Sequence, residues 1–207
     1  MRLILASSSP RRIQMLRDLG APIDVIKPDV PEVRRRGESP RVYVKRLARE
    51  KAAAVQMREG LGEGATPWYI LAADTTVVMG SRLLEKPKDA QDALRMLAAL
   101  NGKTHEVLTA FCWLGRKGHR IVMANEVVST KVKFARRSPS FWRWYVSTGE
   151  PMDKAGAYAA QGIGLSFVAG YKGSYANVVG LPLPEVLESF ETTFGRSTLK
   201  DAFPCFR

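Results

Sequence analysis

Ile4-Leu5-Ala6-Ser7-Ser8-Ser9-Pro10-Arg11-Arg12 is the most telling stretch of the chain. The apolar run from Leu3 to Ala6 breaks into three hydroxyl residues, then a proline, then two arginines. That order predicts a buried strand turning directly into the first helix of an α/β protein. Ser9 suits the N-cap, and Pro10 suits the first helical turn, where its missing N–H would be unpaired anyway. Backbone N–H groups, hydroxyls and guanidinium forks then meet at one helix start, the arrangement that holds phosphate oxygens. A serine-rich turn without a ligand fits the same residues.

Outward from this turn, further elements follow by periodicity and punctuation. Strands are predicted at residues 2–6 and 22–27, with a helix at 10–19 closed by Gly20. Ser39-Pro40 opens a helix reaching about Glu59. Its apolar stripe is Tyr43, Val44, Leu47, Ala48, Ala52 and Val55, with Lys51 on the stripe's edge. A lysine there either snorkels its ammonium into a cleft or is simply solvated. Gly60 to Pro67 reads as a loop. Trp68 to Ala73 reads as a central strand with Asp74 directly after it, where a carboxylate serves either a ligand or a turn. A hairpin around Gly80-Ser81 joins residues 76–79 to 83–84. A helix at 88–100 precedes two long strands, about 104–114 and 120–135. Ser138-Pro139 starts another helix. A strand is expected at 163–169 and a last helix at about 185–194. The class is α/β with a mixed sheet.

The chain has 207 residues, enough for one domain with an ample core. No run of about 18 apolar residues marks a membrane span, and the first apolar run is too short for a signal peptide. A cytoplasmic protein is expected. Cys112 lies within an apolar run and reads as a small core residue; with Cys205 it makes neither a disulfide framework nor a zinc site. The net charge of +12 favours polyanionic partners. Basic residues cluster at Arg34-Arg35-Arg36, at Arg41, Lys45, Arg46 and Arg49, and at Arg136-Arg137 with Arg143. Most of these are expected to be solvated surface. No nucleic-acid-binding module is recognisable, which counts against a nucleic-acid partner. Phe141, Trp142, Trp144 and Tyr145 have the spacing of packing residues.

Further motifs stand in order along the chain: Val30-Pro31-Glu32, Arg49-Glu50-Lys51-Ala52, Ala73-Asp74-Thr75-Thr76-Val77, Leu84-Glu85-Lys86-Pro87, Glu150-Pro151-Met152-Asp153-Lys154-Ala155-Gly156-Ala157-Tyr158 and Gln161-Gly162. With the N-terminal turn, this set resembles the Maf family of nucleoside triphosphate pyrophosphatases, once named septum-formation inhibitors. The resemblance runs from Leu3 to about Leu183.

The resemblance implies an elongated mixed sheet with flanking helices and a cleft between two lobes, as in inosine triphosphate pyrophosphatases, with residues 1–207 forming one Maf-like domain. It implies hydrolysis of a nucleoside triphosphate between the α and β phosphates, with Mg²⁺ or Mn²⁺ as cofactor. Glu32 and Asp74 are then metal ligands, Asp74 also accepts a proton from the attacking water, and Lys51 and Lys86 neutralise the triphosphate. Ser7, Ser9, Arg11 and Arg12 hold phosphate oxygens. Arg11, Thr75 and Gln161 resemble the branch acting on dTTP and UTP. The branch acting on 7-methyl-GTP carries a bulky residue, Gln and Glu at those three places. A glutamine amide both donates and accepts, matching a uracil edge, whereas an ionised glutamate only accepts. Ala160 departs from the family, which carries a larger aliphatic residue there. A homodimer is the family's usual state. The alternatives are a 7-methyl-GTP pyrophosphatase and, from another class, a basic nucleic-acid-binding or septum-regulating protein.

Overall fold

Strand β1, Arg2–Ala6, is buried over its last four residues, so it shows no polar alternation; both its faces are covered. In the computed structural model, which describes residues 1–62 and 66–206, β1 lies between two parallel neighbours. These are β2, Ile23–Val25, and β3, Trp68–Met79. The other strands are β4, Arg82–Leu84; β5, Thr104–Lys117; β6, Arg120–Phe134; and β7, Val168–Lys172. The sheet order is β2-β1-β3-β5-β6-β7, with β4 paired to β3. Part of the expected Gly60–Pro67 loop, residues 63–65, lies outside the described residues.

The chain divides into two compact units. The first comprises residues 1–74, 109–128 and 180–207. It holds helices α1, Pro10–Asp18, and α2, Pro40–Arg58. Strand alternation sorts its core. Leu3 and Leu5, Tyr69, Leu71 and Ala73, and Phe111 and Trp113 share one cluster with Leu16 of α1. Phe190 and Phe194 join it, and Tyr69 packs edge-on to both rings at 5.2 and 4.7 Å. Ile4, Ile70 and Ala72 fall on the opposite strand face, and α2 contacts β1.

The second unit comprises residues 75–108 and 129–179. It contains α3, Ala90–Leu100, and α4, Pro139–Ser147. Its core is aromatic: Phe134 meets Tyr158 at 4.7 Å, Phe167 at 5.1 Å and Trp142 at 6.3 Å. Trp142 and Tyr145 are buried there, as the packing reading expects, while Trp144 is exposed.

Several expectations need correction. β3 does not stop at Ala73 but runs on to Met79, because Thr75-Thr76-Val77-Val78 is β-branched and the charge of Asp74 is paired with Lys51 of α2. Ile163–Ala169 is not a strand. Gly162–Phe167 forms 3₁₀ turns, and only Val168–Lys172 is extended. The Glu150 carboxylate takes the N–H groups of Ile163 and Gly164 that a sheet ladder would have used. Helix α5, Tyr175–Val179, was not foreseen, being a single short turn-length element. Helix α6, Leu183–Phe194, is followed by an unforeseen α7, Arg196–Ala202, across Gly195 at φ +97°. The hairpin around Gly80-Ser81 is present, pairing Val77 with Leu84. Cys112 is fully buried, which pushes its thiol up to about 12. Among the described residues no helix is long and apolar enough to cross a membrane.

Candidate active site

Asp74 stands two residues beyond the last β1–β3 pair, Ala6 with Ala72, so it lies just past the carboxyl end of β1 although it sits within β3. Alternation puts it on the side opposite Ala73, away from the aromatic cluster of the first unit. Helix α2 presents Lys51 in line with Leu47, Ala48, Ala52 and Val55, all buried. Lys51 is thus inside the buried stripe rather than at its edge, and only 7% exposed. Its Nζ reaches Asp74 Oδ1 at 2.6 Å and Glu32 Oε1 at 2.5 Å.

Glu32 comes from an irregular segment and keeps about half its side chain exposed. That segment is fastened to α2. Tyr43 Oη donates to the Glu32 carbonyl at 3.0 Å, and Arg46 Nη2 donates to the Val33 carbonyl at 3.0 Å. Arg46 also grips the Glu38 carboxylate at 2.7 and 2.8 Å and reaches Glu50 at 2.9 Å. These hydrogen bonds hold the Glu38 carboxyl at about 2, well below its ordinary range. Arg46 is therefore an exception to the expected solvated basic surface: it is buried, paired and structural.

Burial raises the Asp74 carboxyl, and Lys51, by charge and hydrogen bond, and Arg12, by charge, only partly offset it. A carboxylate so placed is a better proton acceptor near neutral pH than a solvated aspartate. Two hard oxygen donors, Asp74 and Glu32, converge on the single ammonium of Lys51. No cluster of three or more His, Cys, Asp or Glu that could hold a metal occurs among the described residues. The pair suits Mg²⁺ or Mn²⁺ only in the manner typical of Mg²⁺, with one or two carboxylates and the remaining ligands from water and phosphate.

The N-terminal turn is built as its sequence implies, with one difference. Ser9, Ser39 and Ser138 each occupy an N-cap before a proline. Ser39 Oγ accepts from Val42 N and Ser138 Oγ from Phe141 N, but Ser9 makes no side-chain cap. Ser7 Oγ instead accepts from Ser9 N at 3.2 Å and lies 3.4 Å from Arg12 Nη1. Arg12 also donates to the carbonyls of Gly180 at 2.7 Å and Ala73 at 2.9 Å. It thereby ties α1 to the residue before Asp74. Arg11 is half-buried on the first turn. The first unit thus brings Ser7, Arg12, Asp74, Lys51 and Glu32 into one connected network.

Thr75, Lys86 and Gln161 belong to the second unit. Thr75 is half-buried on β3, and Lys86 is exposed just after β4. The carbonyl of neighbouring Glu85 accepts from Gly156 N at 3.1 Å. Gly156 has φ +70°, and a Cβ there would lie 2.9 Å from Val77, so the Ala155-Gly156-Ala157 turn seats the Lys86 segment only with glycine at its centre. Gln161 is exposed; Ala160 before it is buried, its carbonyl accepting from Tyr175 Oη at 2.8 Å.

Sequence reasoning missed the bracing residues Tyr43, Arg46 and Glu38. Tyr43 belongs to the apolar stripe by spacing, and its hydroxyl is the signal for the brace. For Arg46 the signal was Glu50 one turn on.

The family model described as Maf-like protein matches residues 2–193. A dTTP/UTP pyrophosphatase of Anaeromyxobacter sp. (strain Fw109-5) is 52% identical over 188 residues, covering 90% of this chain and 87% of that protein. The dTTP/UTP pyrophosphatase of Myxococcus xanthus (strain DK1622) is 47% identical, covering 91% of each. That of Yersinia pestis bv. Antiqua (strain Antiqua) is 46% identical, covering 90% of each. Among solved structures, a HAM1 protein from Coxiella burnetii aligns over 97% of this chain and 95% of its own at 13% identity and a TM-score of 0.36.

Proposed function

Because the chain belongs to the Maf family, we propose that it is a nucleoside triphosphate pyrophosphatase acting on dTTP and UTP, releasing the monophosphate and pyrophosphate. The observation that carries this reading is the buried Lys51 ammonium held between Asp74 and Glu32 at 2.6 and 2.5 Å, in a chain about half identical to relatives bearing that name.

In this reading the triphosphate lies along the start of α1. The helix N-terminus, Ser9 and Arg11 hold its oxygens, and Ser7 and Arg12 keep that turn in place. The incoming phosphates compete with Asp74 and Glu32 for the Lys51 ammonium. Asp74 is then released to take a proton from a water that attacks the α-phosphorus. The bond from that phosphorus to the bridging oxygen breaks, and pyrophosphate leaves with the bonding pair. Lys86 offsets its charge. Glu32 and Asp74 would hold a divalent cation, which would add charge neutralisation at the phosphates. Arg11, Thr75 and Gln161 carry the choice of base, with Gln161 offering donor and acceptor to a uracil or thymine edge. Modified pyrimidine triphosphates fit the same logic, which makes the enzyme a cleanser of nucleotide pools. A homodimer in a cytoplasmic setting accords with the family resemblance.

The test is pyrophosphate release from dTTP, UTP, CTP, GTP and 7-methyl-GTP with Mg²⁺, with Mn²⁺ and with chelator. Metal-dependent release from dTTP and UTP is the expected result. Release from 7-methyl-GTP instead keeps the chemistry and discards the roles of Arg11, Thr75 and Gln161. Release from none of them overturns the reading.

A further inference from the structure

Gln161 has no secondary structure of its own to hold it, yet the backbone on both sides is fixed. On one side, Ala159 N donates to Tyr145 Oη at 3.1 Å, and that hydroxyl donates onward to Glu150 Oε1 at 3.4 Å. On the other side, Gly164 N donates to the same Glu150 Oε1 and Ile163 N to Oε2, each at 3.2 Å. A Cβ on Gly164 would stand 1.9 Å from the Ala159 carbonyl oxygen, so the two ends of the segment approach as closely as glycine allows. Gly162 turns at φ +62°, and a Cβ there would meet the Glu150 carboxylate at 3.4 Å. The six residues from Ala159 to Gly164 form a closed loop with Gln161 near its exposed tip, and Glu150 with Tyr145 is its clasp.

We propose that Glu150 is a positioning residue for base recognition: with Tyr145 it closes the Ala159–Gly164 loop and fixes where Gln161 presents its amide. The inference rests on the reading of Gln161 given above. A hydrogen bond to a base edge depends steeply on distance and angle, so an amide on an unclasped loop reads the base poorly. A carboxylate suits the clasp because it only accepts, and three donors converge on it. The corresponding amide can accept through one atom and turns an N–H toward the others.

The test compares wild-type enzyme with Glu150→Gln, Tyr145→Phe, Gln161→Ala and the double variant Glu150→Gln/Gln161→Ala. Each is measured for kcat and KM on dTTP, UTP, CTP and GTP, and amide hydrogen exchange is followed over residues 159–164. Glu150→Gln is expected to raise KM for dTTP by about tenfold, with kcat within about twofold, and to lower the preference over CTP. Exchange at Ile163 and Gly164 should quicken. In the Gln161→Ala background the same substitution should leave the substrate ranking unchanged, because no amide remains to be positioned. If Gln161→Ala erases discrimination while folded Glu150→Gln and Tyr145→Phe keep it, the clasp proposal is overturned and the role of Gln161 stands. If Gln161→Ala itself leaves the ranking intact, the base-reading role falls and the proposal with it. Should Glu150→Gln fail to fold, Tyr145→Phe decides, since it removes one hydroxyl and keeps the ring.

Discussion

The Lys51 network of the first unit and the Gln161 loop of the second are held by different means. Lys51, Asp74 and Arg12 project from a helix or a strand; opposite charges lock Lys51 to Asp74, and backbone carbonyls hold Arg12. The loop lies outside the α-helices and strands; the Glu150 carboxylate and Tyr145 Oη accept its backbone N–H groups, and Tyr175 Oη donates to its Ala160 carbonyl. The difference follows from the tasks proposed for them. Moving protons and holding phosphates needs charges at fixed spacing, which rigid elements supply. Reading a base needs a neutral amide at one orientation, which backbone closure supplies. The two regions should therefore fail differently when perturbed.

The largest effect is expected at Asp74. Asp74→Asn keeps the shape but removes both the charge and the proton acceptor, so turnover of dTTP should fall roughly 100-fold to 10,000-fold while the fold persists. Pyrophosphate release, with circular dichroism as the folding control, checks this. A variant with wild-type kcat removes Asp74 from the mechanism. Below the raised carboxyl pKa of Asp74 the base is protonated, so kcat/KM should drop as pH falls through it, the limb lying higher than for a solvated aspartate.

A smaller effect separates the two units by pH. Glu38 is held at about 2 against an ordinary 4.5 by Arg46. A depressed carboxyl stabilises the fold above pH 4.5, and that contribution is lost as pH falls toward about 2. In the second unit, burial lowers His105 to about 4 from 6.5. Its unfolded form takes a proton first, so stability declines from pH 6.5 to about 4 and then levels. Glu38→Gln should cost on the order of 2 kcal/mol at neutral pH. It should also flatten only the window below pH 4.5, whereas His105→Gln should flatten only the upper one. Urea midpoints measured from pH 2 to 8 decide; identical profiles for both variants would sink the assignment.

The smallest effect concerns the three Ser-Pro helix starts. Ser39→Ala should cost about 1 kcal/mol, because it removes a cap hydrogen bond. Ser9→Ala should cost at most a few tenths, since Ser9 makes no cap, and should instead raise KM for the triphosphate. Equal losses of stability at both positions would mean that the Ser9 hydroxyl serves only the helix.

Much of the first unit was legible in the sequence. The apolar run into Ser7-Ser8-Ser9-Pro10 fixed β1 and α1. Periodicity along Tyr43 to Val55 marks α2 but leaves Lys51 at the edge of its stripe, whereas the structure buries it within the stripe. Alternation then sets the face of Asp74 once β3 is known to continue, a point the sequence reading missed by taking a charged residue for a strand end. The second unit was harder. Ile163 to Ala169 has a strand's apolar content, and only the Glu150 carboxylate, thirteen residues earlier, diverts its N–H groups from a ladder.

The α/β class, the order of the main elements and the motifs were thus written in the primary structure. These follow from local periodicity and from turn chemistry carried by adjacent residues. Folding in three dimensions is what sets Lys51 between Asp74 and Glu32, makes Arg46 a buried brace and lets Glu150 close the loop of Gln161. Those contacts join residues far apart along the chain. Their energy comes from desolvated charge and from hydrogen bonds whose partners no local pattern specifies.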